Sequence, residues 1–216
     1  MSDNIGGQLR KSTNKKVLSL FHPINLNLPK PKDKEKAKIN LGLSDKTYIS
    51  FVGLIRKYKG LETLIKSMKL MSRNDIRLII AGEFYEPVNT YLSLINDLDL
   101  NDKIIIYNKF LDSKMIRDYI CASDLIIQPY IKASQSGITP LCYLYNTPMV
   151  VSNIEGLKEV IHRDKSGAIF KETPESLSNV ILESLDEDKL KSYKQNIKKS
   201  KIKYSWSSFV KELQKL

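Results

Sequence analysis

The sequence predicts an α/β fold, a Rossmann-like doubly wound parallel sheet, and three observations carry that prediction. Between residues 46 and 186, apolar runs of strand length alternate with amphipathic stretches of helical length, the pattern of repeated βα units. The apolar runs are rich in Ile, Val, Leu and Phe without strict alternation, as expected when helices cover both faces of a sheet. The connections also carry helix-start chemistry, with Asp112 or Ser113 ahead of Lys114–Ala122 and Thr173-Pro174-Glu175 placing Pro in a first turn.

Taken in order, the expected strands are Tyr48–Ile55, Ile76–Gly82, Lys103–Tyr107, Asp124–Tyr130, Pro148–Ile154 and Gly167–Phe170. The helices between and after them are expected at Leu61–Met71, Val88–Leu98, Ser113–Ala122, Gly137–Tyr145, Gly156–His162 and Pro174–Leu185. Residues 1–45 form a different region, in which VLSLFHPINLNLPKPKDKEK predicts a short apolar strand and then a Pro/Lys-rich linker into the domain. Residues 187–216 read as a charged helical segment closing with an apolar stripe of Trp206, Phe209, Val210 and Leu213. No internal repeat is visible.

A chain of 216 residues that is 42% hydrophobic can bury one ordinary core without metals or disulfides. Cys121 and Cys142 sit inside apolar runs without metal or redox spacing, which predicts reduced core residues and a cytoplasmic setting. No apolar run of about 18 residues and no signal-peptide core occur, so neither spanning nor export is indicated. The net charge of +11 raises the question of a polyanionic partner. Lysine is spread along the chain without interleaved aromatics, which argues against nucleic acid. The densest cluster, Lys189, Lys191, Lys194, Lys198, Lys199, Lys201 and Lys203, reads either as a solvated helix face or as a peripheral contact with the inner face of the membrane.

In such a sheet, ligands bind where strand carboxyl ends lead into helix N-termini. After the first strand, GLIRKYKGLETL places Gly53, Arg56, Lys59 and Gly60 before a helix, so glycines admit a ligand to the backbone and the cations suit a diphosphate. An ordinary basic βα turn would read the same. The loop SQSGITP, carrying Ser134, Gln135, Ser136, Gly137 and Ile138, offers small hydroxyl residues at a helix start, an anion seat or a plain N-cap.

The run FVGLIRKYKGLETLI, followed by IRLIIAGE, ASDLIIQPY, SQSGITPLCYLYNTPMVVSNIEGLKEVI and SGAIF, resembles the C-terminal domain of family-4 (group 1) glycosyltransferases of the GT-B fold. The resemblance covers residues 46–216, with five motifs in the family's order and spacing, and VLSLFHPINL resembles the family's interdomain linker. It implies a single GT-B C-terminal domain binding a nucleotide-diphosphate sugar, with no cofactor and no metal. Lys59 and Gly60 match the family's Lys-Gly, whereas Leu54 stands where Arg is usual and Arg56 supplies a cation two residues on. A gap-free alignment on Thr147-Pro148 puts Ala133 and Leu141 at the family's paired glutamates, so those side-chain contacts are lost. The QSG wording resembles a branch without that pair, in which Gln135 and Ser136 would contact sugar or phosphate.

Glu83 and Glu159 are secondary site candidates, Glu159 reading equally as an early-helix acid facing the dipole. His22 and His162 have no paired ligand or nucleophile nearby in sequence, and no catalytic residue is assigned. The reading is the donor-binding half of a retaining glycosyltransferase of glycan or glycolipid biosynthesis, inactive without an acceptor domain to complete the cleft; the chain reads as an isolated domain of a longer enzyme, a truncated open reading frame, or a subunit that meets its acceptor domain in trans. The alternatives are a non-catalytic or regulatory subunit of the same fold and a nucleotide-sugar epimerase half.

Overall fold

The computed structural model describes residues 3–20, 23–25 and 27–215. Six strands, β1 (Thr47–Val52), β2 (Ile76–Ala81), β3 (Ile104–Tyr107), β4 (Leu125–Gln128), β5 (Met149–Ser152) and β6 (Gly167–Phe170), form one sheet in the order β3-β2-β1-β4-β5-β6. Every pairing is parallel. The chain winds outward from β1 to β3, returns to β4 on the other side of β1, and winds outward again. The direction therefore reverses between β1 and β4, whose ladder has only two register pairs, Ile49↔Leu125 and Ser50↔Ile126. Beyond that short ladder the carboxyl ends part and a crevice opens.

The helices are α1 (Asp3–Ser12), α2 (Lys34–Asn40), α3 (Leu61–Lys69), α4 (Val88–Asp97), α5 (Ser113–Ala122), α6 (Ile138–Tyr145), α7 (Glu155–Asp164), α8 (Pro174–Ser184), α9 (Glu187–Ser200) and α10 (Trp206–Leu213). The expected elements of the βα region are all present, each within a few residues of its expected bounds. Asp112 caps α5 by accepting from the Met115 N–H at 2.8 Å, and Thr173 caps α8 from Ser176 at 3.2 Å with Pro174 in the first turn. In α3 the buried residues Leu61, Leu64, Ile65 and Met68 form one stripe of helical period against the sheet. In β1 all of Tyr48–Val52 are buried, because helices cover both faces. Cys121 and Cys142 are free and buried, and Tyr143 and Tyr145 pack inside α6.

Two expectations for residues 1–45 change. Val17–Leu20 are irregular rather than a strand, since no ladder partner meets them; Phe21 lies outside the described residues. Residues 34–40, expected within a linker, form the packed helix α2, capped by the Asp33 carboxylate and with Ala37 fully buried. Two charge pairs and a hydrogen bond hold α2 and the residues before it to the domain: Lys32 reaches Asp118 at 2.9 Å, Lys34 pairs with Asp124, and Asn40 donates to Asp118 at 3.2 Å. Burial alone would push Asp118 up, but hydrogen bonds from Arg117, Lys32 and Asn40 outweigh it and hold the carboxyl below its usual range.

The C-terminal segment is anchored through a buried carboxylate. Asp164 accepts from the hydroxyls of Tyr143, at 2.8 Å, and Tyr204, and pairs with Arg163 and Lys203, both at 3.3 Å. The Tyr204 carbonyl accepts from the Ile24 N–H at 2.9 Å, so the segment ahead of α2 meets the turn after α9 at that point. Beyond it, Trp206, Val210 and Leu213 of α10 are exposed and do not pack on this domain's own sheet. Of the lysine cluster, Lys189, Lys191, Lys198 and Lys199 face solvent, while Lys201 donates to the Leu144 carbonyl at 2.8 Å. No helix among the described residues is long and apolar enough to cross a membrane.

Candidate functional site

The crevice at the β1/β4 reversal is built from two loops and one strand end. After β1, Gly53 turns the chain at φ +108°, and residues Lys57–Lys59 make a short 3₁₀ turn. Gly60 then enters α3 at φ +67° with its Cα against the strand end after β4: a Cβ there would lie 1.9 Å from the Pro129 carbonyl oxygen. The Ile131 N–H donates to the Tyr58 carbonyl at 2.8 Å, and Ser152 donates to the Tyr130 carbonyl at 2.6 Å. The Gly60 and Tyr58 contacts join the loop after β1 to the strand end after β4, and Ser152 ties that strand end to β5.

The second loop, residues 131–137, leads into α6. The Ser136 hydroxyl accepts from the Ile138 N–H at 3.2 Å and lies 3.4 Å from the Tyr130 hydroxyl. Ser136 thus caps the first turn from inside the loop, while Gly137 makes no side-chain cap. A Cβ on Gly137 would meet nothing within 4 Å, so this helix start faces open space. By contrast, a Cβ on Gly156, at the start of α7, would lie 2.2 Å from the Ala133 carbonyl oxygen, which fixes the position of the loop's first half.

Between the loops lies a cleft of about 260 Å³ lined by Gly53, Leu54, Tyr58, Lys59, Tyr130 and residues 135–138. The Lys59 ammonium stands 5.5 Å from the centre of the Tyr130 ring, and the Tyr58 ring meets Tyr130 edge-on at 6.3 Å. Desolvation, with the Arg56 charge adding to it, lowers Lys59 to about 8. Burial pushes the Tyr130 hydroxyl up to about 12, so it is neutral. A partly desolvated cation and an open helix N-terminus therefore face one space, an arrangement suited to an anion.

Of the residues singled out in the sequence, Gly53, Lys59, Gln135, Ser136, Gly137 and Ile138 come together in this cleft. Gly60 serves the close approach to Pro129 instead. Arg56 lies outside the lining, exposed, with its guanidinium 4.3 Å from the centre of the Tyr85 ring. Ser134 is also outside it, against Gly156. Glu83 is half-buried after β2, and its main-chain carbonyl accepts from the Ile55 N–H at 2.9 Å. Glu159 lies in the second turn of α7, and the acid in that helix's first turn is Glu155. His162 is exposed in the last turn of α7, and His22 lies outside the described residues.

Sequence reasoning missed Tyr130 and Tyr58. The available signal was an aromatic immediately past a buried strand and ahead of a loop of small residues. Across the Gln135–Gly137 loop lies a second cavity of about 270 Å³, largely apolar, lined by Pro23, Ile24, Leu28, Leu141, Leu157 and Val160 among others. Leu141 faces that cavity, and Ala133 is half-buried against the core.

Residues 32–202 match the family described as Glycosyl transferases group 1. An uncharacterized glycosyltransferase of Methanocaldococcus jannaschii is 27% identical over 173 residues, covering 78% of this chain and 44% of that protein. The chain thus spans less than half the length of that relative. The C-terminal domain of a group 1 family glycosyl transferase from Francisella tularensis superposes with a TM-score of 0.69 at 18% identity, over 82% of this chain and 96% of that one. An Anabaena protein, HepE, solved in complex with UDP and glucose, superposes with a TM-score of 0.79 at 17% identity, over 100% of this chain and 62% of that one.

Proposed function

This chain belongs to the group 1 glycosyl transferases, and from that premise we propose that it is the donor-binding half of a retaining glycosyltransferase of glycan or glycolipid biosynthesis. The cleft between the Gly53–Gly60 and Ser134–Ile138 loops takes the diphosphate of a nucleotide-diphosphate sugar. The observation that carries the reading is the convergence of Lys59 and the open N-terminus of α6 on one cleft at the sheet's reversal point. The complex of HepE with UDP and glucose supports it, because the same fold there accompanies a nucleotide and a sugar.

Arg56 supplies long-range positive charge to the diphosphate, and Gln135 and Ser136 supply hydrogen bonds where the family's glutamates are replaced by Ala133 and Leu141. Lys59, Arg56 and the helix dipole offset the diphosphate charge, so the reading invokes neither a metal nor a cofactor. The reaction takes place in the cytoplasm and requires an acceptor domain across the cleft, in trans or in a longer chain. Holding both substrates in attack geometry contributes on the order of 7 to 11 kcal/mol to such catalysis, and that contribution needs an acceptor site.

Calorimetric titration with UDP-glucose and with other nucleotide sugars tests the donor site: micromolar binding of at least one is the expected result, and binding of none rejects it. A radiolabelled-donor assay with lipid and oligosaccharide acceptors tests the division of labour, and robust transfer by the 216-residue chain alone would rule out the half-enzyme reading. The half-buried Ala133 and the apolar setting of Leu141 favour a second reading, a non-catalytic subunit that keeps the fold without the chemistry. The same titration separates the two.

A further inference from the structure

We propose that Tyr130 is a positioning residue for donor binding, the shared wall that fixes the Lys59 ammonium and the Ser136 hydroxyl relative to each other. The inference rests on the donor-site reading above. It starts from an otherwise unexplained feature: a nearly fully buried tyrosine, 3% exposed, standing at the carboxyl end of a central strand between two loops.

Its ring carries the ammonium of Lys59 on one loop, at 5.5 Å, and its hydroxyl faces Ser136 of the other, at 3.4 Å. Its main chain is held independently of that side chain, since its carbonyl accepts from Ser152 and the next residue donates to Tyr58. The ring is therefore carried by the strand end after β4, which is tied to β5 through Ser152 and to the loop after β1 through Tyr58. Tyr58 closes the ring's edge.

A lysine has four rotatable bonds and, on an open turn, would sample many positions. Stacked over a fixed ring, its charge is confined near one point, and the cation–π attraction offsets part of its desolvation. Ser136, at the same time, holds the Ile138 N–H from within the loop. An anion entering the cleft competes for that N–H, and Tyr130 offers the released Ser136 hydroxyl an alternative partner. One side chain thus couples the cationic and the helix-terminal halves of the anion seat. The other charged group acting on Lys59 is Arg56, from the same loop.

The test compares Tyr130→Phe, which keeps the ring, with Tyr130→Met, which keeps the apolar volume and removes it. UDP-glucose affinity is measured by calorimetry, and the Lys59 side-chain titration is followed by NMR in the ligand-free protein, assigned with Lys59→Arg. The expected result is affinity about 3-fold weaker than wild type for Tyr130→Phe, which loses the Ser136 contact, and at least about 10-fold weaker for Tyr130→Met, which loses the ring as well, with the Lys59 midpoint moved only in the latter. Wild-type affinity and an unmoved Lys59 midpoint in Tyr130→Met would overturn the proposal. If wild type itself does not bind UDP-glucose or other nucleotide sugars, the donor reading fails separately, and the Lys59 midpoint in Tyr130→Met still decides whether Tyr130 positions that lysine. Should Tyr130→Met fail to fold, Tyr130→Leu replaces it, with circular dichroism establishing that the sheet is intact.

Discussion

Gly60 and the carbonyl oxygen of Pro129 approach so closely that a Cβ on Gly60 would lie 1.9 Å from that oxygen. The contact lets the loop after β1 rest on the strand end after β4. Gly60→Ala should therefore destabilise the fold by at least about 2 kcal/mol, since a positive φ costs about 1 kcal/mol or more and the backbone clash adds to it. Urea unfolding measures the change, and a loss below about 0.5 kcal/mol would show that the loop can lift off the strand without cost.

Gly137 is the contrasting case, with φ −68° and nothing within 4 Å of its Cβ position. Gly137→Val should leave the thermal midpoint nearly unchanged while weakening nucleotide-sugar binding at least about 10-fold, because the added side chain fills the approach to the helix N-terminus. Melting and calorimetry on the same sample make the comparison. Unfolding of the variant, or unchanged affinity, would remove Gly137 from the anion seat.

Lys59→Ala and Arg56→Ala should both weaken donor binding, and Lys59→Ala should do so more. Charge-assisted contacts are worth about 1.5 to 3 kcal/mol, and Lys59 lines the cleft whereas Arg56 is exposed and stacked on Tyr85, where solvent screens it. Calorimetry at two salt concentrations separates them: the Arg56 contribution should fade at high salt. Equal losses that are insensitive to salt would contradict this placement.

The lowered Lys59 gives two opposite pH dependences. Lys59 is cationic in the folded protein below about 8, so affinity for a diphosphate should fall as pH rises through that value. Stability should move the other way. Between about 8 and the unfolded value of 10.5 the unfolded chain holds the proton that the folded one has released, so this group's contribution to unfolding free energy rises with pH across that window. Lys59→Met should flatten both trends, and an unchanged pH profile in that variant would assign them to another group.

Asp164→Asn should destabilise the chain by about 3 kcal/mol or more, because it removes a fully buried carboxylate from Arg163, Lys203 and two tyrosine hydroxyls. Burial raises Asp164, but the tyrosine hydrogen bonds and Arg163 outweigh it and hold it below 3.8. Its contribution is therefore present above about pH 4 and lost as pH falls through the lower folded value. Acid unfolding of wild type and variant should converge at low pH, and parallel curves would place the effect elsewhere.

The sheet and its helices were legible because their signals are local: apolar runs bounded by caps such as Asp112 and Thr173 specify elements wherever the chain is read. Most of the cleft was legible for the same reason, since Gly53, Lys59 and residues 135–138, six of its nine lining residues, sit in turns whose composition marks them. Tyr130 was not, because its partners Lys59 and Ser136 lie on two loops and only the crossover that puts β4 beside β1 brings them to one ring. The packing of α2 was equally hidden. Residues 32–40 look like a lysine-rich linker until Asp118 and Asp124, 86 and 90 positions from Lys32 and Lys34, supply the opposite charges. The sequence by itself determined the periodicity, the caps and the glycines that permit the turns. The tertiary structure decided which loop faces which, because charge pairs, ring stacking and close backbone approach depend on distances that no stretch of chain fixes alone.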